Sequence, residues 1–157
     1  MSFIHTPAGA APASTSTDKK FALGTIGHGS NGTRWMYVQA SAAISQYYVA
    51  AITEAFLAAP ASAALGSEGH IPGFPQVAFA ASDYGWMPIS GSGDLKIKAV
   101  ATKDGPLYVG SSGATSSGYV VTNTTSGTLL NGVVIVSTAA SAGALPLIIA
   151  NNPWFSP

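Results

Sequence analysis

The sequence predicts an all-β domain: a short-stranded sandwich or barrel with an extended N-terminal arm and at most one or two short helices. Apolar and aromatic runs are brief and punctuated by 18 glycines and 10 prolines, the texture of many strands separated by turns. Asn31-Gly32, Asp104-Gly105 and Asn131-Gly132 supply residues suited to the positive φ of tight turns. Leu95-Lys-Ile-Lys-Ala-Val alternates apolar and polar residues, so Leu95 and Ile97 face inward while Lys96 and Lys98 face water. At 157 residues the chain is sized for one domain. Its organisation reads as an arm over residues 1–20 and a single β-rich domain over residues 21–157.

The elements follow in order. Met1 to Lys20 is low in complexity, with Ala-Ala-Pro-Ala-Ser-Thr-Ser-Thr at its centre. Such a composition builds no core. Phe3 and Ile4 are its apolar anchors for a neighbouring subunit, and losing the arm is expected to leave the domain's melting temperature almost unchanged. Phe21 to Ile26 and Thr33 to Ala40 read as strands joined by a hairpin at Asn31-Gly32. Gln46 to Ile52 is β-like, and Thr53 is placed to cap a short helix over residues 54–59 that Pro60 ends. Ser62 to Gly73 reads as loop. Gln76 to Ala81 reads as a central strand, and Tyr84 to Ile89 as the next, with Gly85 leaving room for a bulge or a ring. Leu95 to Ala101 returns through Asp104-Gly105 to Leu107 to Gly110. Tyr119 to Thr122, a hairpin of Leu129-Leu130 and Val133 to Val136 about Asn131-Gly132, and Leu145 to Ile149 complete the set. Asn-Asn-Pro-Trp-Phe-Ser-Pro closes the chain.

Charge is scarce. Asp, Glu, Lys and Arg make up 8 % of the chain, against about 25 % in ordinary soluble domains. Six basic and six acidic residues cancel, so self-repulsion is weak and association into a homo-oligomer is expected. So few cations cannot neutralise a phosphate backbone, which argues against nucleic-acid binding. The Ala-rich run from Val49 to Leu65 is interrupted by Glu54 and Pro60 and is too short to span a bilayer, so no membrane association is expected. The start of the sequence lacks the pattern of a secretion signal, and Asn31-Gly-Thr33 and Asn123-Thr-Thr125 are read as chance sequons.

Candidate chemistry is sparse. There is no cysteine, so neither disulfides nor thiolate metal sites are available. His5, His28 and His70 lack metal-ligand spacing and read as loop residues. No serine sits in a G-x-S-x-G turn. Asp18, Glu54, Glu68, Asp83, Asp94 and Asp104 are scattered next to turns, where Asp commonly bonds to local backbone. No catalytic, cofactor-binding or metal-binding residue is assigned, and a non-enzymatic role is expected. Trp35 and Tyr37, and likewise Tyr84 and Trp86, lie two residues apart, so each pair points to one face of its strand. These four rings are expected to fill a core or an interface, the rival being a carbohydrate-stacking platform.

The segment Gly32-Thr-Arg34-Trp35-Met-Tyr37-Val38-Gln39-Ala40 fits the pattern G-x-R-W-x-Y-V-x-A. A second segment is Pro75-Gln76-Val77-Ala78-Phe79-Ala80-Ala81-Ser-Asp-Tyr84-Gly85-Trp86, followed shortly by Gly91. In these, and more weakly in Pro106-Leu107-Tyr108 and around Gly132, the chain resembles small cysteine-free head proteins of tailed bacteriophages, the capsid decoration type. The resemblance spans Phe21 to Thr138 and departs at the ends, where the arm is longer and Trp154-Phe155 only loosely matches a closing aromatic-proline segment. It implies a cement protein on the outer surface of the virion head, with the major capsid protein as partner. A trimer at threefold positions of the lattice is the preferred oligomer. Trp35, Tyr37, Tyr84, Gly85 and Trp86 then form the motif core, with Phe3, Ile4, Trp154 and Phe155 as interface residues. The alternative is a receptor- or glycan-binding module of a tail fibre or spike.

Overall fold

Strand β4 (Arg34–Ala40) and strand β8 (Tyr84–Asp94) pair antiparallel along the first seven residues of β8, with Tyr37 opposite Trp86 and Met36 opposite Met87. Both strands are buried on two faces. Met36, Val38, Ala40, Met87 and Ile89 point to one side, while Trp35, Tyr37 and Trp86 point to the other. A strand covered on both faces reads as nearly continuous apolar sequence, which describes Trp-Met-Tyr-Val and Trp-Met-Pro-Ile. The computed structural model describes residues 3–5, 11–29, 32–62, 69–97, 102–109, 120–121, 127–138 and 147–156.

Ten further strands surround this pair: β1 (Phe3–His5), β2 (Thr15–Ser16), β3 (Ile26–Gly29), β5 (Ala50–Ile52), β6 (Leu57–Pro60), β7 (Ile71–Gly73), β9 (Leu107–Val109), β10 (Val120–Val121), β11 (Thr128–Ile135) and β12 (Leu147–Ser156). The main hydrogen-bonded path runs β10-β9-β11-β12-β8-β4-β6-β5-β7, with β1-β3 branching from β4 and β2 lying on β8. Among the described residues the strand pairings are antiparallel except β4 with β6, and an isolated parallel bridge joins Ile97 to Val120 of β10. The fold is all-β and the sheet does not close into a barrel. It doubles over instead: Val49, Ala51 and Phe74 pack against Leu107, Leu130, Ile135, Ile148 and Phe155 in a second core, giving a sandwich-like arrangement.

Several expected elements take another form. Residues 54–59 are not a helix; β5 and β6 make a hairpin in which Ile52 opposes Ala58. Thr53 still caps, but caps a turn: its Oγ1 accepts the Leu57 N–H at 3.3 Å, and Phe56 adopts φ 59°. Phe21 to Ile26 is a strand only at its end, because the chain turns at Ala22–Thr25, with Thr25 Oγ1 donating to the Ala22 carbonyl at 2.7 Å. That turn returns Phe21 to the aromatic face of β4. Within Ser62 to Gly73, a short edge strand, β7, replaces loop. Gln76 to Ala81 is not a ladder strand: Phe79 is buried and Val77 packs beside it, Ala78, Ala80 and Ala81 are exposed, and one isolated bridge joins Ile44 to Phe79. Gln76 joins that segment to the end of β8, accepting the Asp94 N–H and donating to the Asp94 carbonyl. Leu95 and Ile97 are buried as the alternation requires; Lys98 lies outside the described residues.

Asn131-Gly132 is not a hairpin turn. β11 runs straight through it, and the pairing with β12 jumps from Asn131–Trp154 to Val133–Ala150. One residue of β11 thus opposes three of β12, Asn151, Asn152 and Pro153, in a wide bulge. Gly132 has φ 72°, and a Cβ there would lie 2.6 Å from the Asn151 carbonyl oxygen. Gly132→Ala should therefore cost about 2–4 kcal/mol, combining a left-handed backbone with overpacking. Urea unfolding measures this, and an unchanged midpoint would show that the bulge relaxes freely.

Candidate functional site

The aromatic motif residues converge on one face of β4 and β8. Cross-strand pairing places Tyr37 beside Trp86 with ring centroids 5.3 Å apart, and Tyr84 lies nearly parallel to Tyr37 at 6.4 Å. Gly85 points to the opposite face, where a Cβ would lie 2.7 Å from the Phe79 ring. The space left at Gly85 thus receives a ring. Trp35, Tyr37 and Trp86 are 3 %, 2 % and 2 % exposed, so they form a core and not a stacking platform for a sugar.

What covers them is the arm together with the first residues of the domain. Ser16 pairs with Tyr84 and Thr15 with Gly85. Phe21 then meets Tyr37 edge-on at 5.2 Å and Trp86 at 5.3 Å. The Lys20 N–H donates to the Tyr37 hydroxyl at 3.1 Å, which satisfies the polar end of a buried ring. The cover is not flush. A cleft of about 190 Å³ remains between Pro12, Ala13, Trp35, Gln76 and Val77. Residues 11–20 of the arm therefore dock on their own domain beside the third apolar cluster, which Phe21, Leu23 and Tyr84 complete. That contact argues for a contribution of the arm to domain stability, against the expected indifference of the melting temperature to its loss. Further upstream, Phe3–His5 pairs with β3, placing His5 opposite His28. The side chains of Phe3 and Ile4 lie outside the described residues. His5 and His28 sit in strands rather than loops.

The two C-terminal candidates separate. Phe155 is 6 % exposed and belongs to the second core, whereas Trp154 is 55 % exposed. They are consecutive residues of β12, so the pleat sends one inward and the other outward; Phe155 is corrected from interface to core. Ile71, Val134 and Val136 are also exposed, and sequence reading missed all three. Alternation along Val133 to Val136 was the available signal, obscured by taking Gly132 for a turn.

The acidic residues serve local structure where their contacts are seen: Asp83 Oδ2 accepts the Ala80 N–H at 3.1 Å. Among the described residues no three His, Cys, Asp or Glu side chains gather as metal ligands. Lys96 lies over the Tyr48 ring at 5.8 Å, a cation–π contact at the domain surface.

Two variants test the cover. Trp86→Ala should destabilise the domain by about 3–5 kcal/mol. Removing residues 1–20 should cost about 1–3 kcal/mol, because it strips the β2 pairing, the Lys20–Tyr37 hydrogen bond and part of the cover from the aromatic face. Removing residues 1–10 spares these contacts and should cost less. Equal melting temperatures for both truncations would show that the arm is not a structural cover. A comparison with protein-family models finds no match, and a comparison with curated proteins finds none either.

Proposed function

We propose that this protein is a structural component of a virion: a decoration, or cement, protein that binds the outer surface of a tailed-phage head. The observation that carries the reading is the placement of the two motif segments. Gly32 to Ala40 and Pro75 to Trp86 converge on the β4–β8 pair, so the residues of the resemblance are those on which the fold is built. A surface drawn from a chain with 8 % charged residues supports it, because little hydration of ions is lost when such a surface is covered. The burial of Trp35, Tyr37 and Trp86 removes the feature that favoured glycan binding.

The mechanism is mass action. A protein that binds the assembled lattice and not its separated subunits stabilises the lattice by RT ln(1 + [L]/Kd), about 2.7 kcal/mol when free protein is at a hundred times Kd. Bridging adjacent copies of the major capsid protein provides that selectivity. Purified protein added to undecorated heads should sediment with them, raise their disruption temperature and add density to the outer surface in electron microscopy. Failure to sediment with heads, or density confined to the tail, would overturn the reading.

A further inference from the structure

We infer that the outward face of the β11–β12 sheet is a self-association surface, whose partner is a second copy of this chain. Three of the four large apolar residues exposed among those described lie here: Trp154 at 55 %, Val134 at 46 % and Val136 at 36 %. Trp154 stands opposite Asn131 on the neighbouring strand. Val134 follows on the same face, about 10 Å further along β11 at 3.4 Å per residue. Leu129 and, across the ladder, Tyr108 continue the face on the far side of Asn131. Both are half-buried.

The charge pattern identifies the occupant. From Gly105 to Pro157 the sequence contains no Asp, Glu, Lys, Arg or His, so all of β9 to β12 is built without an ionisable acid or cation. The nearest charged residues in sequence, Lys103 and Asp104, sit at one end of β11, where the Asp104 N–H donates to the Ile135 carbonyl. They are of opposite sign and belong to the rim. A charged partner surface pressed on this face would lose hydration and gain no counter-charge. Arg34 lines a cleft with Asn152 and Pro153 at the edge of this face, but one cation is too few to hold an anionic lipid surface or a nucleic acid. An identical face has no such penalty, and a symmetric contact sets Trp154 and Val134 of each copy against uncharged, partly apolar surface of the other. Exposed aromatic and aliphatic anchors with a polar amide beside them match the make-up of an interface centre. The inference stands apart from the capsid reading, since it requires only the protein itself.

The test is sedimentation velocity of the purified full chain at micromolar concentration. The wild-type protein should be oligomeric. Val134→Lys and Trp154→Ala should each weaken association about tenfold or more, as expected when the centre of an interface is altered. Ala43→Lys, an added charge at an exposed loop position, should leave it unchanged. Raising NaCl from about 0.05 M to about 0.5 M should not dissociate the oligomer, because screening acts on charges this face does not have. Melting curves accompany each variant. If Val134→Lys does not fold, Trp154→Ala and Val134→Thr decide the matter. A monomeric wild-type protein, association unaffected by the folded variants, or dissociation by salt would each overturn the inference. Because no capsid is present, its failure leaves the head-binding assay to be judged separately.

Discussion

The pairing of β4 with β8 is the constraint on which the rest of the molecule depends. It has two apolar faces, and neither can be left wet. On one side Met36, Val38, Met87 and Ile89 must be met by the β5–β6 hairpin and by Phe79. On the other, Trp35, Tyr37 and Trp86 must be met by something, and among the described residues no second sheet layer packs on their cluster. The chain supplies Phe21, Leu23 and the preceding strand β2. The arm's low-complexity sequence is thus no sign of irrelevance to the fold: a few backbone hydrogen bonds and one ring suffice to seal a face that is itself strongly apolar.

The second half of β8 performs a different task. Beyond Ser90 it leaves β4 and pairs with β12 through Gly91 to Asp94. Gly91, with φ 99°, marks the change of partner, and a Cβ there would lie 2.6 Å from the Thr33 Cα. One strand therefore belongs first to the aromatic-faced pair and then to the sheet of the second core. β2 and β12 occupy opposite ends of the same edge of β8, which brings both terminal regions of the described chain onto the same strand.

Sequence reading recovered the class and both strands of the central pair, though not their pairing, because Trp35/Tyr37 and Tyr84/Trp86 carry strong period-two signals in large side chains. It failed where the signal is ambiguous in physics and not merely faint. Ala58 and Ala59 favour a helix by propensity, yet Ala58 is fully buried in a strand because the close approach of β4 and β5 needs a small residue. Asn131-Gly132 offers a positive φ that serves a hairpin turn or a bulge equally, and only the partner strand decides. Gln76 to Ala81 is apolar because Val77 and Phe79 pack into a core, which requires no ladder. At the site, sequence alone did not separate the exposed Trp154 from the buried Phe155. The pleat sends the two to opposite faces, and which of them turns inward depends on the bulge at Asn151 to Pro153, which resets the alternation before both.

The strand order also governs how the molecule is made. β12 lies between β11 and β8, although it is the last strand in chain order. β4 likewise waits for β8, which is separated from it by the whole β5 to β7 region. Contacts of such separation are costly in loop entropy and slow to form. During synthesis, β9, β10 and β11 emerge before β12 exists to join them to the rest. Until it inserts, one edge of β8 and one edge of β11 offer unpaired backbone to any other strand nearby. This gap between synthesis and closure is the period of greatest exposure to misassembly.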